Sequence, residues 1–144
     1  VQIITQNVDD LHERAGSSNV LHLHGMLTKA RSGANENLVY DIGYKQLSKE
    51  DVCELGSQLR PHIVWFGEAV PEMENAEKLV EQADVLIIVG TSLNVYPAAG
   101  LYQNSPVGCP IYVIDPNEVN ISDDRFTIIK EKASVGLQQI LESI

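Results

Sequence analysis

A chain of 144 residues, 44% of them hydrophobic and 21% charged, is long enough to bury one core and is not globally disordered. Twenty acidic residues against 10 basic ones give a net charge of −10. That speaks against a nucleic-acid groove or an anionic membrane surface, both of which need Lys/Arg clusters; the acidity suits either a cationic partner such as a lysine-bearing peptide or plain solubility.

In chain order, Val1-Gln2-Ile3-Ile4-Thr5 reads as a buried strand with no cap, turn or initiator Met before it, so the expectation is that a segment upstream is missing. Residues 8–15 read as a short helix closed by Gly16, with Leu11 on its apolar face. Val20-Leu21-His22-Leu23-His24-Gly25 is a second strand running into a glycine turn. Between 29 and 60 polar and turn residues dominate, and 48–59 offer a helix with Ser48 as N-cap. This stretch is expected to be a small inserted module, with 1–28 and 61–144 forming the main domain.

Ile63-Val64-Trp65-Phe66 resumes a strand that stops at Gly67, and residues 71–83 carry Met73, Ala76, Leu79, Val80 and Ala83 at helical spacing. Val85-Leu86-Ile87-Ile88-Val89 and Ile111-Tyr112-Val113-Ile114 are continuous apolar strands of the kind buried on both faces of a parallel sheet. Residues 126–129 predict another strand, and Leu137, Ile140, Leu141 and Ile144 stripe a last helix. The alternation predicts an α/β fold on a parallel sheet, whose ligands gather beyond the carboxyl ends of its strands. No run of 18 apolar residues and no secretory pattern is present, and Cys53 and Cys109 form no paired motif, which fits a reduced, cytoplasmic protein.

Four strand-end loops carry small or polar residues that a ligand can approach: Thr5-Gln6-Asn7-Val8-Asp9, His24-Gly25, Phe66-Gly67-Glu68 and Gly90-Thr91-Ser92. Each alone is ambiguous. His24 reads as a surface histidine or a base, Gly-Thr-Ser as a turn or a phosphate contact, and Val64 and Phe66 as core or as a ligand wall. Together, Thr5-Gln6-Asn7-Val8-Asp9-Asp10-Leu11-His12, Leu23-His24-Gly25, Pro61-His62-Ile63-Val64-Trp65-Phe66-Gly67-Glu68 and Gly90-Thr91-Ser92-Leu93 resemble, in order, the signature of sirtuins, the NAD-dependent protein-lysine deacylases.

The resemblance implies a Rossmann-like α/β sheet, NAD as co-substrate and an acyl-lysine protein or peptide as partner. In that family the acyl oxygen attacks the NAD ribose as nicotinamide leaves, and a histidine then deprotonates a ribose hydroxyl. His24 matches that histidine, and imidazole is the side chain that ordinarily titrates near neutral pH. Asn7 and Asp9 match the residues around the nicotinamide carboxamide, Asn7 with a catalytic role, and Gln6 matches a ribose contact. Gly90, Thr91 and Ser92 match an NAD-holding loop. Val64 and Phe66 match the acyl-lysine tunnel, while Trp65, Gly67 and Glu68 on one side and Asn94, Val95 and Tyr96 on the other match the substrate-binding stretches that would take the peptide as an added strand. His12 and His22 receive no catalytic role.

Three departures qualify the resemblance. Many sirtuins hold a four-cysteine zinc ribbon after the histidine strand; Cys53 alone lies there, so no structural zinc is expected and the module resembles that of zinc-free bacterial members, held by Leu38, Val39, Tyr40, Ile42, Tyr44 and Leu47. Asp115 stands where the family usually has Asn, as an acceptor for the adenosine ribose or as a turn-initiating Asp before Pro116; Ala133 falls in a stretch loosely resembling the adenine contact. The family's glycine-rich phosphate loop has no counterpart here, so the expectation is an N-terminally incomplete sheet, weak NAD binding, impaired catalysis by the chain as it stands and self-association through an exposed edge. Mono-ADP-ribosylation or NAD cleavage, and a non-catalytic binding module, are the competing functions.

Overall fold

The computed structural model describes residues 1–91, 93–119, 121 and 123–143. They form two compact units, Val1–Glu72 and Met73–Ile144.

In the first unit β1 (Ile3–Thr5) runs into α1 (Leu11–Arg14) and returns as β2 (Val20–His22), parallel to β1 with Ile3 opposite Val20. The helix is shorter than residues 8–15: Asp9 forms an Asx-type turn just before it, accepting from the Leu11 N–H at 3.1 Å, Asp10 is the N-cap, and Gly16 at φ +94 follows its end. Leu11 is exposed rather than packed.

β2 ends in a turn at Leu23 and His24, as expected, but the chain does not leave the sheets there. Gly25, at φ +79, redirects the chain at once into β3 (Gly25–Ser32), which pairs antiparallel with β4 (Val39–Asp41) on one side and β5 (Leu59–Ile63) on the other. The strand expected over 63–66 therefore lies earlier, and it belongs to an antiparallel sheet of order β4-β3-β5. The helix expected over 48–59 is absent. Its cap forms, with Ser48 Oγ accepting from the Glu50 N–H and Asp51 accepting from the Ser48 N–H, yet nothing propagates from it. Residues that propagate a helix poorly follow, Val52, Cys53 and a Gly56 held at φ +70, and the chain instead closes a turn with Val52 bridged to Gln58.

Of the apolar set expected to hold this module, Leu38, Tyr40, Ile42 and Leu47 are half-buried and two residues are not packed. Val39 and Tyr44 are exposed, and the Tyr40 and Tyr44 hydroxyls donate to Glu54 and Asp10. The buried residues are Ala30, Arg31, Ser32 and Cys53, whose thiol lies 3.2 Å from the Ser32 hydroxyl.

The second unit follows its sequence pattern closely. Strands β6 (Leu86–Val89), β7 (Ile111–Ile114) and β8 (Phe126–Ile129) form a parallel sheet in chain order. Helix α2 (Met73–Val80) packs its small buried Ala76 against the 3₁₀ helix Ala98–Asn104, which buries Ala98 and Ala99. Helix α3 (Ala133–Leu141) lies on β7 so closely that a Cβ on Gly136 would stand 2.5 Å from Ile114 Cγ2. Ile140 is buried while Leu137 and Leu141 are exposed; Ile144 lies outside the described residues. The fold class is α/β, as the strand-helix alternation predicts.

Candidate active site

The loop after β1 folds on its own side chains. Thr5 Oγ1 accepts from the Asn7 N–H at 3.1 Å, and the Gln6 and Asn7 carbonyls each meet an imidazole carried by or just beyond β2. His24 Nδ1 lies 3.1 Å from the Gln6 oxygen. A carbonyl only accepts, so Nδ1 carries the hydrogen and Nε2 of the neutral ring keeps its lone pair. His22, buried, has Nδ1 3.2 Å from the Asn7 oxygen and Nε2 2.7 Å from a Glu13 carboxylate oxygen, an interaction that lowers the Glu13 pKa. His24 is half-buried and Asn7 exposed, and among the described residues none bonds the Asn7 or Gln6 side-chain amide.

The His24 carbonyl accepts from the Val64 N–H at 2.9 Å, which fixes the start of the 64–68 segment beside the histidine. Trp65–Glu68 is a tight turn: the Glu68 N–H donates to the Trp65 carbonyl at 3.0 Å, and Gly67 takes φ +89, open to glycine without strain. Phe66 at the tip is fully exposed, at 102%. The Glu68 backbone N–H is thus already used, and its carboxylate accepts from Arg60 (2.7 and 3.0 Å), from Arg31 (3.1 Å) and from the Trp65 N–H (3.0 Å).

These contacts, with Arg60 first and the Trp65 N–H next, bring the Glu68 pKa down to about 2 from 4.5. A carboxylate with a depressed folded-state value stabilises the fold fully above its unfolded value, and that contribution is lost as pH falls through the folded one. Trp65 emission is therefore expected to stay constant in acid titration to about pH 3 and to shift only nearer pH 2. A Trp65 midpoint at the ordinary carboxylate value would refute the arrangement. Nearby, His62 Nδ1 is buried without a hydrogen-bond partner, and burial followed by the Arg31 and Lys29 charges lowers its pKa.

In the second unit the carboxyl ends of β6 and β7 lie together. The Gly90 N–H donates to the Ile114 carbonyl at 3.0 Å, one residue before the buried Asp115. Gly90 takes φ +64 with open space where a Cβ would be. Thr91 Oγ1 accepts from the Leu93 N–H, and Asp115 Oδ1 accepts from the backbone and side-chain amides of Asn117 at 2.8 and 3.1 Å, so the turn-forming role of Asp115 is present. Asn94 is irregular, and Val95 and Tyr96 lie in a bend and a turn leading into the 3₁₀ helix, with the Val95 carbonyl accepting from the Ala99 N–H. Ala133 is exposed at the start of α3, and Ser92 lies outside the described residues.

Sequence reasoning overlooked Arg31, Arg60 and the His22–Glu13 pair. The i, i+2 spacing of His22 and His24 was a usable signal, since it puts both on one face of an extended chain. For Arg31 none was available, because β3 itself was not visible. Among the described residues no three His, Cys, Asp or Glu side chains are grouped to hold a metal ion, and no helix is long and apolar enough to cross a membrane.

An α/β chain whose second unit is a parallel sheet flanked by helices has a Rossmann-like architecture. The Sir2 family model matches residues 1–97, and the chain belongs to the Sir2 family. It is 52% identical to an NAD-dependent protein deacylase of Helicobacter pylori, over all of this chain and 63% of the relative. It is 48% identical to one of Bacteroides thetaiotaomicron, over 97% of this chain and 62% of the relative. A Sir2 homologue crystallised with NAD superposes with a TM-score of 0.81 at 38% identity, covering 99% of this chain and 57% of that one. A Sir2–p53 peptide–NAD complex gives 0.77 at 30% identity, covering 99% and 62%. The chain spans about three-fifths of the length of these curated relatives.

Proposed function

We propose that the protein is an NAD-dependent protein-lysine deacylase in which His24 is the general base. The observation that carries this reading is the bond from His24 Nδ1 to the Gln6 carbonyl, which leaves Nε2 as the basic nitrogen. The residues present suit a dinucleotide. Gly90 lets a ligand approach its backbone, Asp115 offers a buried carboxylate to a ribose, and the uncommitted Asn7 amide complements a carboxamide.

NAD supplies an electrophilic ribose carbon whose leaving group is nicotinamide. Asn7 and Asp9 orient the carboxamide, Gln6 contacts the ribose, and His24 takes a proton from a ribose hydroxyl. Gly90, Thr91 and Ser92 hold NAD through backbone and hydroxyl groups, with Asp115 at the second ribose and Ala133 near the adenine. Val64 and Phe66 wall the acyl-lysine, and Trp65, Gly67, Glu68, Asn94, Val95 and Tyr96 flank its peptide. Residues 1–28 with 61–144 make up the NAD-binding part, and 29–60 the small module. A cytoplasmic location, association of copies through a strand edge, and no role for nucleic acid or membrane complete the reading.

With the phosphate loop unmatched, turnover is expected to be slow, but at saturating NAD an acetyl-lysine peptide should still yield nicotinamide and deacylated peptide in equal amounts. Nicotinamide without peptide turnover would replace this reading by NAD hydrolysis, and neither product would refute it.

A further inference from the structure

The Trp65–Glu68 turn buries little apolar surface. Phe66 is fully exposed and Trp65 is 54% exposed, and the turn has one backbone bond of its own. What pins it is charge. Arg31 on β3 and Arg60 on β5 are direct cross-strand partners, an arrangement that repels unless an anion lies between them. Glu68 is that anion. It takes Arg60 as a two-pronged fork and shares Oε2 with Arg31 and the Trp65 N–H, and both guanidiniums reach the Ile63 carbonyl, at 3.4 Å from Arg31 and 3.2 Å from Arg60. Arg31 is buried, so its charge has little water to fall back on.

We infer that Arg31 and Arg60 are positioning residues for the acyl-lysine peptide: through Glu68 they fix the conformation of the turn that flanks the substrate. The inference rests on the deacylase reading for the identity of the substrate, and on geometry alone for the clamp. It also orders the effects of mutation. Neutralising Glu68 leaves two cations facing each other, whereas removing Arg60 leaves Glu68 its bond to Arg31. Glu68→Gln is therefore the more damaging change.

Trp65 is the single tryptophan in the chain, and its backbone N–H donates to Glu68, so its fluorescence reports the turn without any turnover assay. In the full chain, Glu68→Gln should shift Trp65 emission, lower its anisotropy and weaken acetyl-lysine peptide binding about tenfold, the loss expected when a charge-assisted bond is broken. Arg60→Gln should do the same to a smaller extent, and Arg60→Lys, which keeps the charge but not the fork, should fall between Arg60→Gln and wild type. NAD affinity by calorimetry should not change. Unaltered Trp65 emission in a folded Glu68→Gln protein would overturn the clamp, and altered emission with unaltered peptide affinity would overturn its role in positioning. If Glu68→Gln fails to fold by circular dichroism, Arg60→Lys decides the same question. A wild-type protein that binds no acyl-lysine peptide while its Trp65 responds to Glu68→Gln would sink the deacylase reading and leave the clamp standing.

Discussion

Gly25→Ala is expected to destabilise the fold by about 3–5 kcal/mol, measured as a drop in the denaturant midpoint at unchanged slope. Two independent costs add at this position. The backbone sits at φ +79, which a side chain occupies only under strain, and a Cβ built there would stand 2.0 Å from the His62 carbonyl oxygen and 2.9 Å from its carbon. The obstacle is backbone in the neighbouring strand, so no rotamer change relieves it. β3 and β5 would have to part where Gly25 faces Ile63, one residue from the bond between the His24 carbonyl and the Val64 N–H. Stability and the placement of His24 should therefore suffer together. A Gly67→Ala protein is the control, since open space surrounds that position and only the strain at φ +89 applies. Equal losses at the two sites would show that crowding by His62 contributes nothing.

The same glycine marks the limit of what could be read from the sequence. The parallel strands of the second unit announce themselves as unbroken runs of Val, Ile and Leu, and β7 and β8 fall where the pattern puts them. In the first unit β1 and β2 also fall within their expected stretches, but beyond them the pattern fails, because the strands there are held by neighbours distant in sequence. Gly25-Met26-Leu27-Thr28-Lys29-Ala30-Arg31-Ser32 has no clean alternation, because buried Arg31 and Ser32 are satisfied by Glu68 and Cys53, far along the chain. Residues 48–59 open with a genuine helix cap, and only the bridge of Val52 to Gln58 shows that the cap serves a turn. The candidate site was more legible than the fold around it. Gln6 and His24 are 18 residues apart and meet through the pairing of the successive strands β1 and β2, which the sequence pattern already places, whereas the guanidiniums on Glu68 come together only once β3 and β5 pair.

His24→Asn should lower deacylation kcat/KM by about 10²–10⁴-fold while leaving folding stability within about 0.5 kcal/mol of wild type. The choice of asparagine follows from the tautomer. Its side-chain nitrogen occupies nearly the place of Nδ1 and can still donate to the Gln6 carbonyl, but nothing replaces Nε2. His24→Ala loses both functions. It leaves the Gln6 carbonyl without its partner and should cost about 0.5–1.5 kcal/mol in addition to the activity. The two variants thus separate anchoring from proton transfer: equal activity loss with unequal stability assigns the chemistry to Nε2 and the structural bond to Nδ1. Nicotinamide release should fall less than deacylated product in both, because the base acts on the ribose hydroxyl after that bond has broken. An asparagine variant within about threefold of wild-type turnover would place the base elsewhere, and an asparagine variant as unstable as alanine would show that the Gln6 bond does not hold the ring.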